Sequence, residues 1–241
     1  MSTGSPLDVA SIQADFPSLK RQVNGKRLVY LDSASSSQKP QPVLDAMDRI
    51  YRESYANVHR GVYTIAEEAT AAFEGARAKV ARFVGAPEAR EIVFTRNATE
   101  AINLVAYTWA RANLREGDVI VLSHLEHHAN VVPWHILREE RGVELRWIPL
   151  THDQRLDLTD LDRLLDGAAL LGITARSNVT GSIVDVPHLV AAARAAGARV
   201  LVDGCQAVPQ MPVDVQAWGA DFVAFSSHKL LGPTGIGALW A

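Results

Sequence analysis

The chain has 241 residues, enough for one large domain or two small ones. Hydrophobic residues make up 48% and charged residues 21%, which excludes a disordered chain, and a formal charge of −3 offers no electrostatic case for nucleic acid. The longest apolar runs, such as Ala168 to Ile173, are too short to cross a bilayer, Met1 to Pro6 shows no basic-then-apolar leader, and the single cysteine, Cys205, excludes an internal disulfide framework, so a reducing cytoplasm is the expected setting.

Residues 1–27 are polar and irregular apart from one short amphipathic stretch, Val9 to Phe16, and read as an arm. Leu28 to Leu31 reads as a strand, 32–37 as a loop, and Pro42 to Tyr55 as a helix. Ala66, Ala69, Phe73, Ala76, Val80 and Phe83 recur at three- and four-residue spacing, which predicts a helix stopped by Gly85. Strands and helices then alternate. Strands are expected at Ile92 to Thr95, Asp118 to Ser123, Val143 to Pro149, Leu170 to Thr174, Arg199 to Asp203, Asp221 to Ser226 and Ile236 to Trp240. Helices are expected at Asn97 to Arg111, Asn130 to Glu140, Leu158 to Leu165 and Pro187 to Ala196. Strands apolar on both faces, separated by helices, predict an α/β domain over 28–241: a mostly parallel sheet with helices on both faces.

Ligands of such sheets bind at the C-terminal ends of strands, and three turns there carry chemistry. Asn97 with Glu100 three residues later is a capping-box arrangement, and the N–H groups of Ala98 and Thr99 at that helix start suit a phosphate. Taken alone, this motif is more simply an ordinary capped helix. Asp203 ends an apolar strand before Gly204, where it serves either as a turn-former or as a placed charge. Lys229 stands between the apolar strand ending at Ser226 and a turn with Gly232, Gly235 and Gly237. A lysine so placed is poorly explained as a solvated residue, and a desolvated amine forms an imine with an aldehyde. His124, His127 and His128 do not have the spacing of a zinc site, so no metal is expected. Cys205 reads as a small buried thiol.

Ser226-Ser227-His228-Lys229 followed by Gly232-Pro233-Thr234-Gly235-Ile236-Gly237 resembles the lysine motif of class V aminotransferase-fold enzymes that use pyridoxal 5′-phosphate (PLP). More narrowly it is similar to the SufS-type cysteine desulfurases. Tyr30 to Ala34 with Gln38-Lys39-Pro40, Asn57 to Gly61, Thr99 to Val105, Glu126 to Asn130 with Pro133-Trp134, and Ser177-Asn178 extend the likeness along the chain. The resemblance implies the large domain of a fold type I PLP enzyme, with residues 1–27 belonging to the small domain. It implies that Lys229 is the Schiff-base lysine and proton carrier, and that His127 stacks on the cofactor ring. Asp203 would pair with the pyridinium and Gln206 with the ring hydroxyl. Ala98, Thr99, Ser226 and His228 would hold the phosphate. Ala34 and Asn178 would face the substrate, and Arg60 a partner subunit's site.

The activity implied is removal of sulfur from L-cysteine, giving L-alanine and an enzyme persulfide for iron–sulfur cluster or other sulfur supply. A homodimer and a sulfur-acceptor protein are the implied partners, with no nucleic acid or membrane. Ser227 replaces a usual glycine, and Thr174-Ala175-Arg176 departs from the family's Thr-His-Val. That leaves another class V reaction (selenocysteine lyase, aminotransferase or epimerase) or a non-catalytic PLP-binding fragment as alternatives. Family members continue into a C-terminal small domain with the catalytic cysteine and a carboxylate-binding arginine. The expectation is that this domain is absent here, and that the 241 residues alone do not desulfurate cysteine.

Overall fold

In the computed structural model, which describes residues 7–241, the apolar segments of the second part of the chain pair into one seven-stranded sheet. Met1 to Pro6, the stretch read for a leader, lies outside the described residues. Two compact units are distinguished, Met1–Glu74 with His228–Pro233, and Gly75–Ser227 with Thr234–Ala241.

The first unit begins with α1 (Val9–Ala14), capped by the Asp8 carboxylate, which accepts from Ser11 N at 3.0 Å. A two-residue hairpin follows, β1 (Gln22–Val23) and β2 (Lys26–Arg27), turned by Asn24-Gly25 with φ of 52° and 71°. Both central residues at positive φ make this the turn for which Asn-Gly is the usual sequence. Leu28 to Leu31 is not the strand expected: its backbone joins no ladder, the Leu28 N–H donating to Arg21 O, the Tyr30 hydroxyl bonds the following loop instead, and Leu31 is 90% exposed. Alternating apolar residues supply a strand with a face but not with a neighbouring ladder. Helix α2 (Gln41–Glu53) starts with Pro42 in its first turn, where a missing N–H costs nothing. Helix α3 (Thr64–Val84) starts in this unit and runs on into the second, ending at Gly85, whose φ of 74° is the left-handed stop expected.

The second unit holds β3 (Ile92–Thr95), α4 (Ala98–Val105), a π-helical turn at Ala106–Ala110, α5 (Arg111–Asn113), β4 (Val119–Ser123), α6 (Val132–Arg141), β5 (Glu144–Ile148), α7 (Leu161–Leu165), β6 (Ala168–Thr174), α8 (Val186–Ala195), β7 (Arg199–Asp203), α9 (Val215–Trp218), β8 (Phe222–Ser226) and β9 (Gly237–Trp240). The strand order is β3-β9-β8-β7-β6-β4-β5. Strands β4 to β8 pair in parallel, and β9 runs antiparallel to both of its neighbours. The helix expected over Asn97 to Arg111 is interrupted: the Thr108 hydroxyl donates to Leu104 O at 2.6 Å, a side-chain bond that competes with the backbone ladder. Helix α9 was not anticipated. It is four residues long, started by Asp214 accepting from Gln216 N and Ala217 N, and stopped by left-handed Gly219.

Alternate strand residues divide the core. Ile120, Leu122, Leu170, Leu201, Ala224 and Leu239 cluster with Ile102 and Val105 of α4 and with Trp134 and Leu137 of α6. Val121, Leu171, Ile173, Val200, Val202 and Val223 lie between them in sequence and are equally buried on the opposite face, where α8 packs on β6 and β7. Ile120→Ala, in a fully buried central strand, is expected to cost about 2–5 kcal/mol. Leu31→Ala should stay within about 0.5 kcal/mol. Urea unfolding of the two variants checks both, and equal costs would contradict the placement of Leu31.

Candidate active site

The parallel register sets the C-terminal ends of β6, β7 and β8 side by side, with Thr174 opposite Asp203 and Asp203 opposite Ala224. Asp203 stands two residues beyond Leu201 and Ser226 two beyond Ala224. Both side chains therefore project to the face that carries α4 and α6. Asp203 is only 4% exposed, and its Oδ1 accepts from Cys205 N at 2.9 Å. The carboxylate thus both shapes the turn and remains a buried acid at a strand end. Gln206 is buried beside it and accepts from Gln210 Nε2 at 2.8 Å.

The start of α4 is docked on the end of β8. Asn97 Oδ1 accepts from Glu100 N at 2.8 Å, and the Glu100 carboxylate reaches back to Arg96 N, which holds its pKa below the usual carboxylate range. Ala98 N, expected to be open to an anion, donates to Ser226 Oγ at 2.9 Å, while Thr99 is exposed. This close approach requires Gly237. A Cβ there would lie 2.6 Å from Asn97 Cα and 2.8 Å from Phe225 O, so β9 passes under the helix start only because it lacks a side chain at this point. Cys205 Sγ is buried, 3.9 Å from Ser226 Oγ.

His127 opens a short 3₁₀ turn, His128–Asn130, where its Nδ1 accepts from Ala129 N at 3.0 Å and fixes the ring at its root while leaving it exposed. The residue before it is the acid whose role the sequence did not disclose. Glu126 Oε1 accepts from Thr174 N at 2.8 Å and from the Ser123 hydroxyl. Its Oε2 accepts from Asn130 Nδ2 at 2.8 Å, and Asn130 Oδ1 in turn holds Trp134 Nε1 at 3.0 Å. Part of the residue reaches the surface but its carboxyl is enclosed, and burial, aided by the nearby Asp203, pushes its pKa up to about 8 despite those donors. The sequence signal was available: an acid directly after the end of β4, flanked by Leu125 and a histidine.

The chain leaves β8 through a single 3₁₀ turn, Ser227–Lys229, and Lys229, in the first unit, is half-buried rather than enclosed. Burial lowers the pKa of His228, and the charges of Lys229 and Lys39 lower it further. Arg60 is exposed beside His59, a left-handed residue (φ 70°) held by Glu74 at 2.8 Å and by Thr70. Ala34 is exposed in the loop before α2. In the second unit Asn178 is exposed after β6, and Arg176, half-buried, pairs with Ile183 through its backbone. The structure brings together Asp203, Ser226, Ala98 and the neighbouring Gln206; it leaves Ala34, Arg60 and Asn178 in exposed loops. Among the described residues no group of three histidine, cysteine or acidic side chains could hold a metal, and no helix is long and apolar enough to cross a membrane.

These residue types fit PLP. Its phosphate calls for donors, and Ser226 and Thr99 carry hydroxyls; its ring nitrogen calls for a buried acid, and Asp203 is one; its aldehyde calls for an amine drawn from solvent, and Lys229 is half-buried.

Glu126 makes the fold pH-dependent. Its pKa is higher folded than unfolded, so the folded state binds the proton more tightly and stability is fullest below about pH 4.5, then falls as pH rises through about 8. Each tenfold difference in proton affinity between the folded and unfolded states contributes about 1.4 kcal/mol to that loss. Glu126→Gln, which carries no charge to desolvate, is expected to flatten the decline. Urea midpoints from pH 5 to 9 measure it, and a variant with the wild-type slope would contradict the enclosed carboxyl.

The class-V aminotransferase model matches residues 29–241. The chain is 52% identical over 233 residues to a cysteine desulfurase of Yersinia pseudotuberculosis serotype O:1b (strain IP 31758), covering 96% of this chain and 57% of that protein. A cysteine desulfurase of Salmonella dublin is 53% identical over the same length. Among solved structures, an apo cysteine desulfurase of Thermococcus onnurineus NA1 superposes with a TM-score of 0.90 at 39% identity over 96% of this chain and 56% of that one. An Escherichia coli cysteine desulfurase in its S-sulfonic acid form gives 0.86 at 42%, over 96% and 57%. The chain therefore spans about 57% of the length of these curated relatives. A sheet with this strand order, a buried acid ending β7, a lysine three residues after β8, and a family match over residues 29–241 lead to one conclusion: the chain belongs to the class-V aminotransferase family.

Proposed function

We propose that the protein of which this chain forms at least part is a PLP-dependent cysteine desulfurase: L-cysteine gives L-alanine while its sulfur passes to an enzyme thiol as a persulfide. The carrying observation is buried Asp203 at the end of β7, beside β8, whose chain runs straight on to Lys229. Identity of about half to proteins named cysteine desulfurase supports the substrate class over the other class V reactions. When bound, PLP supplies an aldehyde for the substrate amine and a ring that withdraws electrons from Cα. Lys229 would hold the cofactor through its amine and would move the proton at the substrate Cα. Asp203 would keep the ring nitrogen protonated, Gln206 would bond the ring hydroxyl, and His127 would stack on the ring. Thr99, Ser226 and His228 would take the phosphate, Ala98 N being engaged by Ser226 Oγ and so holding the helix start in place, and Ala34 and Asn178 would border the substrate.

The reading extends to a cytoplasmic homodimer that supplies sulfur to an acceptor protein for iron–sulfur cluster assembly, with Arg60 directed to the partner's site. Cys205 is not the attacking thiol in this reading, because its sulfur is buried against Ser226 Oγ beside Asp203. The full-length protein given PLP and cysteine is expected to release alanine in step with sulfur, and Cys205→Ala should keep that activity. Asp203→Asn should lower turnover about a hundredfold or more, a loss of roughly 2.7 kcal/mol of transition-state stabilisation. Quantified alanine and sulfide decide the matter: a keto acid in place of sulfide would favour an aminotransferase, and a Cys205→Ala variant that released no sulfide would make Cys205 the nucleophile.

A further inference from the structure

The loop that carries Lys229 is tied down at one atom, the carbonyl oxygen of His228. Ser37 N and Ser37 Oγ each donate to it at 3.0 Å, Lys39 Nζ at 2.9 Å, and Ser36 Oγ at 3.3 Å. A carbonyl oxygen has two lone pairs, so this convergence exceeds what satisfying the group requires, and one donor is a full cation, which shortens and strengthens the bond. The same clasp holds the other side of the lysine. Leu231 N donates to Ser37 Oγ at 2.9 Å, so one hydroxyl donates to the carbonyl before Lys229 and accepts from the amide two residues after it. Leu231 is left-handed, with φ of 60°, a conformation that a branched residue adopts only when its surroundings hold it there. Lys39 is itself fixed, donating also to Ser37 O at 2.6 Å, and burial lowers its pKa. Ser37 is 8% exposed, one of the few buried polar residues in its unit. Nothing in the reaction proposed above uses Ser37 or Lys39.

We propose that Ser37 and Lys39 are positioning residues for Lys229: they clamp the peptide groups on either side of it, so that its amine is presented from a fixed backbone. The Lys39 ammonium has a second effect. It adds positive charge beside the His228 carbonyl, and together with burial and the charge of Lys229 it lowers the pKa of His228. Lys39, His228 and Lys229 lie together in this cluster, and Tyr30 borders it, its hydroxyl donating to Ser36 O at 2.6 Å.

The proposal deepens the PLP reading and rests on it for the role of Lys229, but the clasp itself is testable without cofactor. The variants are Ser37→Ala, Lys39→Met, which keeps the apolar stem, and Lys39→Arg, which keeps the cation. In apo protein, hydrogen exchange of the 228–233 peptide should accelerate at least tenfold in Ser37→Ala and Lys39→Met but remain near wild type in Lys39→Arg. With PLP bound, the pH titration of the cofactor's visible absorbance should move to higher pH in Lys39→Met alone, because only that variant removes a positive charge. A packing role would change melting temperature without moving that midpoint. Unchanged exchange in both Ser37→Ala and Lys39→Met would overturn the clasp, and an unmoved midpoint in Lys39→Met would overturn its electrostatic part. A wild-type protein that took up no PLP at Lys229 would count against the cofactor reading instead, with the exchange result still deciding the clasp.

Discussion

A carboxyl group taken out of water is costly unless donors or a proton compensate it, and much of the second unit is arranged around that constraint. Asp203 ends β7 inside the protein, and Glu126 is enclosed close enough to feel its charge. The Thr174 amide, the Ser123 hydroxyl and the Asn130 amide converge on Glu126, yet burial prevails and the group holds its proton to about pH 8. A neutral Glu126 spares the region a second negative charge beside Asp203. It also ties the end of β4 to the end of β6 and, through Asn130 and Trp134, to α6.

The same edge of the sheet explains why the site needs glycine and serine as well as charge. Antiparallel β9 lies between β3 and β8 and brings the turn from β3 into α4 against the end of β8. Gly237 permits the approach, and Ser226 secures it by accepting from Ala98 N. A helix start, a serine hydroxyl and a buried acid therefore arise on adjacent strand ends, without a long loop to place them.

Much of this was legible in the sequence, and the parts that were not share a cause. Apolar runs bounded by Gly, Asn and Asp marked the seven strands of the sheet to within one or two residues, because strands buried on both faces leave little ambiguity. The lysine after Ser226 and the acid after Val202 stood out for the same reason. Leu28 to Leu31 misled because an apolar alternation says nothing about whether a pairing partner exists. Helix α9 is four residues long, too short for periodicity to reveal. Glu126 and Lys39 were visible within recognised motifs, but their roles depend on partners 48 and 189 residues away, Thr174 and the His228 carbonyl. No local pattern encodes such a pairing.

The central claim is that Lys229, alone among the lysines of the chain, carries PLP. Reduction of the PLP-loaded protein with borohydride, followed by peptide mapping, tests it most directly. The account predicts a reduced pyridoxyl label on Lys229 in near-stoichiometric yield and none in Lys229→Ala. A label found on another lysine of wild-type protein, or a full label persisting in Lys229→Ala, would contradict it.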